Sequence, residues 1–174
     1  QTFSFKNTMK KYSTLLSFVV LAALASSCET TTTPAGEAKK LTVAQIQTNP
    51  GFAWFDYERT SYTPNADTVI LVRDSYRADD HQVYIHVNPS CSCTGTQKLF
   101  PKFMRIMQDA GIPETEVAIY SMARSGDNHP ETKQFNITKL PSIFITRNDT
   151  LIATINDVSA TMTVEQQILE ALTK

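Results

Sequence analysis

The sequence predicts an α/β fold, a central mixed β-sheet flanked by helices. Three observations carry that prediction. His81–Val87 alternates apolar and polar side chains and is rich in β-branched residues, as a half-buried strand requires. Soon after it, Leu99, Phe100, Phe103, Met104, Ile106 and Met107 recur at helical spacing, which gives a helix one apolar face. Further on, residues 142–146 and 151–155 flank Arg147-Asn148-Asp149-Thr150, the pattern of two strands joined by a hairpin turn.

Residues 1–8 precede Met9 and read as upstream sequence or a misplaced start. From Met9 the pattern is that of export. Lys10 and Lys11 form a positive region, residues 15–25 an apolar one, and Leu24-Ala25-Ser26-Ser27-Cys28 follows. Small residues before a cysteine resemble a lipobox, which makes Cys28 the predicted site of lipidation. An ordinary secretory signal is the alternative. The apolar run is shorter than the ~20 residues a membrane span needs. Residues 29–40 include Thr30-Thr31-Thr32-Thr33-Pro34-Ala35-Gly36; small, polar and aperiodic, they read as a flexible tether. One folded domain is expected over 41–174, a usual size for one core. Lipid on Cys28 implies a membrane partner and places the domain on a bacterial cell envelope, periplasmic or at the outer membrane.

All 17 acidic residues lie after Cys28, whereas three of the 16 basic ones lie before it. The part after the cleavage site is therefore acidic. No basic cluster with interleaved aromatics is present, so a nucleic-acid partner is not expected.

Taken in order, residues 41–48 read as a short helix or turn, broken by Asn49-Pro50-Gly51. Phe52-Ala53-Trp54-Phe55-Asp56-Tyr57 is aromatic and partly alternating, which predicts a strand or strand-like segment. Asn65 is placed to cap a helix over 66–78. The strand His81–Val87 turns Val83, Ile85 and Val87 to one face and Tyr84 and His86 to the other. A helix over 96–110 follows, kinked by Pro101 and ended by Gly111. Residues 116–122 form a strand, 124–130 a polar loop and 131–135 a short helix. The hairpin and a last helix capped by Thr163 complete the chain.

Of the three cysteines, Cys28 is taken by lipid. Cys91 and Cys93 remain, in a compartment that permits disulfides. One residue apart, they close too small a loop to be a useful staple. Chemistry or metal binding suits them better.

Ser92-Cys93-Thr94-Gly95-Thr96-Gln97-Lys98-Leu99-Phe100-Pro101, together with Tyr62-Thr63-Pro64-Asn65, Asp109-Ala110-Gly111 and Phe135-Asn136-Ile137-Thr138-Lys139-Leu140-Pro141, resembles the thioredoxin family. The likeness is to Bacteroidetes members with a Trp-Cys-x-Asp-Thr segment and a Leu-Leu-Pro helix. It implies a thioredoxin-like fold and a thiol site. In that family a helix proline lies eight residues after the nucleophilic cysteine. Counting back from Pro101 gives Cys93. Here Ser92 replaces the tryptophan and Gly95 the aspartate.

The resemblance implies the roles of Cys93, Leu140 and Pro141; those of Cys91, Thr96 and Arg124 are read from their chemistry and their place in the chain. Cys93 is the nucleophile at a helix N-terminus, where a thiol pKa falls. Cys91 is its resolving partner, and their small ring should make a labile redox disulfide. Thr96 caps the helix or hydrogen-bonds Cys93. Pro141 is cis, and Leu140 beside it offers backbone groups to a substrate. Arg124, just past a strand end, is placed to bind substrate or lower the Cys93 pKa. The expected activity is thiol-disulfide exchange with protein or small-molecule thiols and disulfides, without a cofactor. The alternatives are a non-catalytic binding or assembly module, or a copper or zinc chaperone in which His86 and His129 join the cysteines. Thiolate plus imidazole would suit copper(I) or zinc; no metal ligand is assigned from sequence.

Overall fold

The computed structural model describes residues 34–91, 93 and 95–174. Cys28, its preceding apolar run and residues 29–33 lie outside the described residues. Among the described residues no helix is long and apolar enough to cross a membrane.

The elements in chain order are β1 (Lys39–Leu41), α1 (Val43–Thr48), α2 (Phe55–Ser61), α3 (Ala66–Ser75), β2 (His81–Val87), α4 (Phe100–Asp109), β3 (Val117–Ser121), β4 (Ser142–Arg147), β5 (Thr150–Ile155) and α5 (Val164–Leu172). The strands form one sheet in the order β1-β3-β2-β4-β5. Strands β2 and β3 are parallel, and every other neighbouring pair is antiparallel. The fold is thus a mixed α/β fold with β2 at the centre of the sheet.

The predicted tether ends earlier than residue 40. Lys39, Lys40 and Leu41 pair with Ser121, Tyr120 and Ile119. Just before them, the Ala38 amide donates to the Asn128 carbonyl at 2.8 Å, and the Gly36 amide to Asp127 Oδ1 at 2.9 Å. A Lys-Lys-Leu run has no strand signature of its own; the ladder of β3 imposes the conformation.

The predicted strand over 52–57 is not one. Pro50–Phe52 is a 3₁₀ turn, and Phe55 opens α2. Phe52 and Phe55 stand three residues apart, on one face of a helical path, and both are buried. Their rings meet Phe100, at 6.2 and 4.9 Å between centroids. Asn49 starts the turn, its side chain accepting from the Gly51 amide at 2.9 Å. The aromatic content that suggested β-structure serves a helix face instead.

The remaining elements follow their local signals. Asn65 caps α3 by accepting from the Thr68 amide at 2.9 Å. Thr163 and Gln166 make a reciprocal capping box at α5. Asn148 and Asp149 both have positive φ, 47° and 60°, as a two-residue type I′ hairpin requires. Gly111 ends α4 with φ +73°.

That glycine supplies a clean prediction. Among the described residues nothing lies within 4 Å of a methyl built on Gly111, so Gly111→Ala tests backbone conformation alone. A loss of ~1 kcal/mol is expected from the left-handed geometry. Urea unfolding with an unchanged midpoint would contradict it.

The two sheet faces carry separate cores. Val83, Ile85 and Val87 of β2, with Ile143 and Ile145 of β4, join side chains from all five α-helices in the larger one. On the opposite face a smaller cluster forms around Met122, Phe135, Ile137 and Phe144. Helices therefore cover one face rather than flanking the sheet on both. The other face is covered by the segment between β3 and β4. Its expected helix over 131–135 is a run of turns, with the Gln134 and Phe135 amides both bonded to the Glu131 carbonyl at 2.8 and 2.9 Å. Glu131-Thr132-Lys133-Gln134 gives that stretch no apolar stripe and too few residues to sustain a helix.

Candidate functional site

Strand β2 delivers the chain to the cysteines through Asn88. Its side-chain oxygen accepts from the Ser90 amide at 2.8 Å, and its carbonyl from the Cys91 amide at 3.2 Å. Its amide nitrogen donates to the Ala123 carbonyl at 2.7 Å, at the end of β3. Asn88 thus folds the loop and fixes it to the neighbouring strand. Sequence reasoning passed over it, although an Asn-Pro pair after a strand is a turn signal.

Cys91 and Cys93 are half-buried and bonded to each other, with an S–S distance of 2.06 Å. The Cys93 carbonyl accepts from the Gln97 amide at 3.1 Å, so the helical path begins at this cysteine. Residues Gly95–Leu99 wind as a π-turn before α4. Pro101 accounts for it, because a residue without N–H cannot close the regular bond back to Gln97.

Thr96 is fully buried, and its hydroxyl lies 3.1 Å from Cys93 Sγ. A bonded sulfur carries no hydrogen, so the hydroxyl is the donor. Pro141 packs over the same turn. A methyl on Gly95 would stand 3.3 Å from Pro141 Cδ and 3.9 Å from Asp157 Oδ1. Glycine here permits the close approach of the two segments. The Leu140–Pro141 bond is cis, and Leu140 is partly exposed. The structure therefore brings Cys91, Cys93, Thr96 and Pro141 together.

Arg124 pairs within its own loop. Its guanidinium lies 3.3 Å from Asp127 Oδ1. Asp127 is buried and also accepts from the amides of Gly36, Ala123 and Arg124 at 2.9, 3.0 and 3.0 Å. Those amide bonds, with the Arg124 charge, hold its carboxyl below the ordinary range despite burial.

The two histidines singled out from sequence do meet. His86 is fully buried on the second sheet face, its ring 4.9 Å from that of His129 and stacked on Tyr120. Between them stands Glu131, whose Oε2 is 3.6 Å from both His86 Nε2 and His129 Nδ1. Burial, with His129 beside it, pushes the His86 pKa down to about 3, so its imidazole is neutral. The third member is Glu131 rather than a cysteine. His129-Pro130-Glu131 is the local signal that was available.

Neither comparison with protein-family models nor comparison with curated proteins gives a match to this chain.

Proposed function

We propose that the chain is a lipid-anchored envelope protein of thioredoxin-like build that exchanges thiols and disulfides through Cys93 and Cys91. The observation that carries the reading is the meeting of a bonded cysteine pair, a buried threonine hydroxyl and the Pro141 turn at the head of one helix. Lipidation of Cys28 rests on the sequence pattern alone.

In the reduced protein the Cys93 thiolate attacks a substrate disulfide. A bond forms between Cys93 Sγ and one substrate sulfur, the substrate S–S bond breaks, and the leaving sulfur takes a proton. The Cys91 thiolate then attacks Cys93 Sγ, closing the protein disulfide and releasing the second substrate thiol. The substrate gains two electrons and the protein loses two; an external thiol resets it, or the same steps run in reverse as an oxidase. The Thr96 hydroxyl favours the Cys93 thiolate by donating to it, and the helix start adds its dipole. Backbone groups at Leu140 are the proposed contact for an extended substrate.

The test is a glutathione redox titration of the full chain, with thiols trapped and mapped by mass spectrometry, beside Cys91→Ser and Cys93→Ser. A reversible Cys91–Cys93 couple is expected, with Cys93 alkylating faster than Cys91 after reduction. Cys91→Ser should accumulate a mixed disulfide on Cys93. Two thiols that stay free under mild oxidation, with Cys93 alkylating at an ordinary rate, point instead to a non-catalytic binding module.

A further inference from the structure

We propose that His86, His129 and Glu131 bind one divalent transition-metal ion of the zinc class, at a site on the opposite sheet face from the helix that follows the cysteines. It is independent of the thiol reading and uses neither Cys91 nor Cys93.

Three polar side chains converge here without satisfying one another. Both ring nitrogens of His86, Nδ1 of His129 and Oε2 of Glu131 are buried without a hydrogen-bond partner among the described residues. The His86 side chain is 0% exposed, and the His129 and Glu131 side chains are 4% and 12% exposed. At 3.6 Å the nitrogens are too far from Oε2 for a proper hydrogen bond. Each buried polar atom left in that state costs ~1–3 kcal/mol. A cation at their centre satisfies one atom from each residue at once.

The donor set and spacing suit such an ion. One ligand atom from each residue lies within 4.8 Å of the others. A tetrahedron built on bonds of ~2.0–2.1 Å has edges of ~3.3 Å, a few tenths shorter than the two nitrogen–oxygen separations. Two imidazoles with one carboxylate is an established zinc ligand combination.

The surroundings orient the ligands. The Tyr120 hydroxyl donates to Glu131 Oε1 at 2.8 Å, which turns the other carboxylate oxygen toward the histidines, as outer-shell partners of metal sites do. His86 is held between the Tyr120 and Phe144 rings. A cavity of about 460 Å³ lined in part by Asn128, His129 and Thr132 adjoins the site from the loop side. The ion would join β2 to the segment between β3 and β4, which builds no helix of its own among the described residues.

The probe is Zn²⁺ itself, with Co²⁺ as the spectroscopic substitute, added to the chelator-treated full chain. Cys28→Ser/Cys91→Ser/Cys93→Ser removes every thiol, so uptake by cysteine and uptake by the histidine cluster are separable. One equivalent is expected to bind the cysteine-free chain and raise its melting temperature. Co²⁺ should show ligand-field bands without thiolate charge-transfer absorption. Glu131→Gln and His129→Asn should each weaken Zn²⁺ binding by ~10–100-fold or more, the range even for outer-shell partners. Failure of the cysteine-free chain to take up Zn²⁺ overturns the proposal, whether or not the variants fold. Retention of wild-type affinity in a folded Glu131→Gln variant overturns it as well.

Discussion

Alanine in place of Phe100 is expected to remove about 3–5 kcal/mol of stability, the range for deleting a buried aromatic ring. Phe100 is fully buried at the first turn of α4 and touches the rings of Phe52 and Phe55. Its loss opens a cavity where α2 and α4 meet the sheet. Native domains hold only ~5–15 kcal/mol in total, so this single change takes a large share. Urea unfolding should show the midpoint falling steeply with little change in slope. Ile70→Ala and Leu71→Ala are the controls, since those side chains are 45% and 52% exposed on α3. They should move stability by ~0.5 kcal/mol or less. A double-mutant cycle between Phe55 and Phe100 should return a coupling of ~0.5–1.5 kcal/mol, because the two rings are in contact. Equal effects at Phe100 and Leu71 would mean that the aromatic cluster is not the core described above.

The second large effect concerns Glu165 in the first turn of α5, a carboxylate only 2% exposed. It accepts from the Tyr62 hydroxyl at 2.5 Å and from the Asn65 amide at 2.9 Å, fastening α5 to the turn that caps α3. Burial alone raises a carboxyl pKa, but here the Asn65 amide and the Tyr62 hydroxyl outweigh it and the net shift is downward. Burial, together with the same contact, raises the Tyr62 pKa. A carboxyl held below its unfolded value stabilises the fold above that unfolded value, ~4.3. The contribution disappears as pH falls through the lower, folded value. Glu165→Ala should cost about 2–4 kcal/mol at neutral pH, by stranding two donors and leaving a void. Glu165→Gln should lose less and, more tellingly, should flatten the acid limb of the stability profile. Unfolding midpoints from pH 7 down to ~3 measure both. Superimposable acid limbs for wild type and Glu165→Gln would exclude the carboxylate as a source of acid lability.

Much of the fold is written locally. The strand His81–Val87, the hairpin around Asn148-Asp149 and the Thr163 cap follow from alternation, turn chemistry and capping. These signals act over a few residues and were legible as such. Lys39–Leu41 was not, since its strand exists only through pairing with residues far along the chain. Phe52 to Tyr57 misled because aromatic residues fit both a pleated surface and a helix face; the Phe100 ring, which decides between them, is remote in sequence. The grouping of Cys91, Cys93 and Thr96 was readable because they lie together in sequence, and Pro141 because it follows a motif. Glu131 was not, because its importance arises only when β2 and the loop after β3 converge. Arg124 sits at a strand end as expected, but its pairing with Asp127 depends on a buried carboxylate that nothing in the sequence marks as buried.

Asp127 also settles where the domain can be cut. Its carboxylate grips the Gly36 amide and the amides of Ala123 and Arg124 together, and β1 then adds the edge of the sheet. A shortened protein beginning at Leu41 discards two of the three β1 residues and leaves Asp127 with one amide fewer. One beginning at Ala35 keeps the clasp and the edge strand whole. The useful boundary for engineering, fusion or crystallisation therefore lies ahead of the clasp, in a stretch whose composition advertises only a linker.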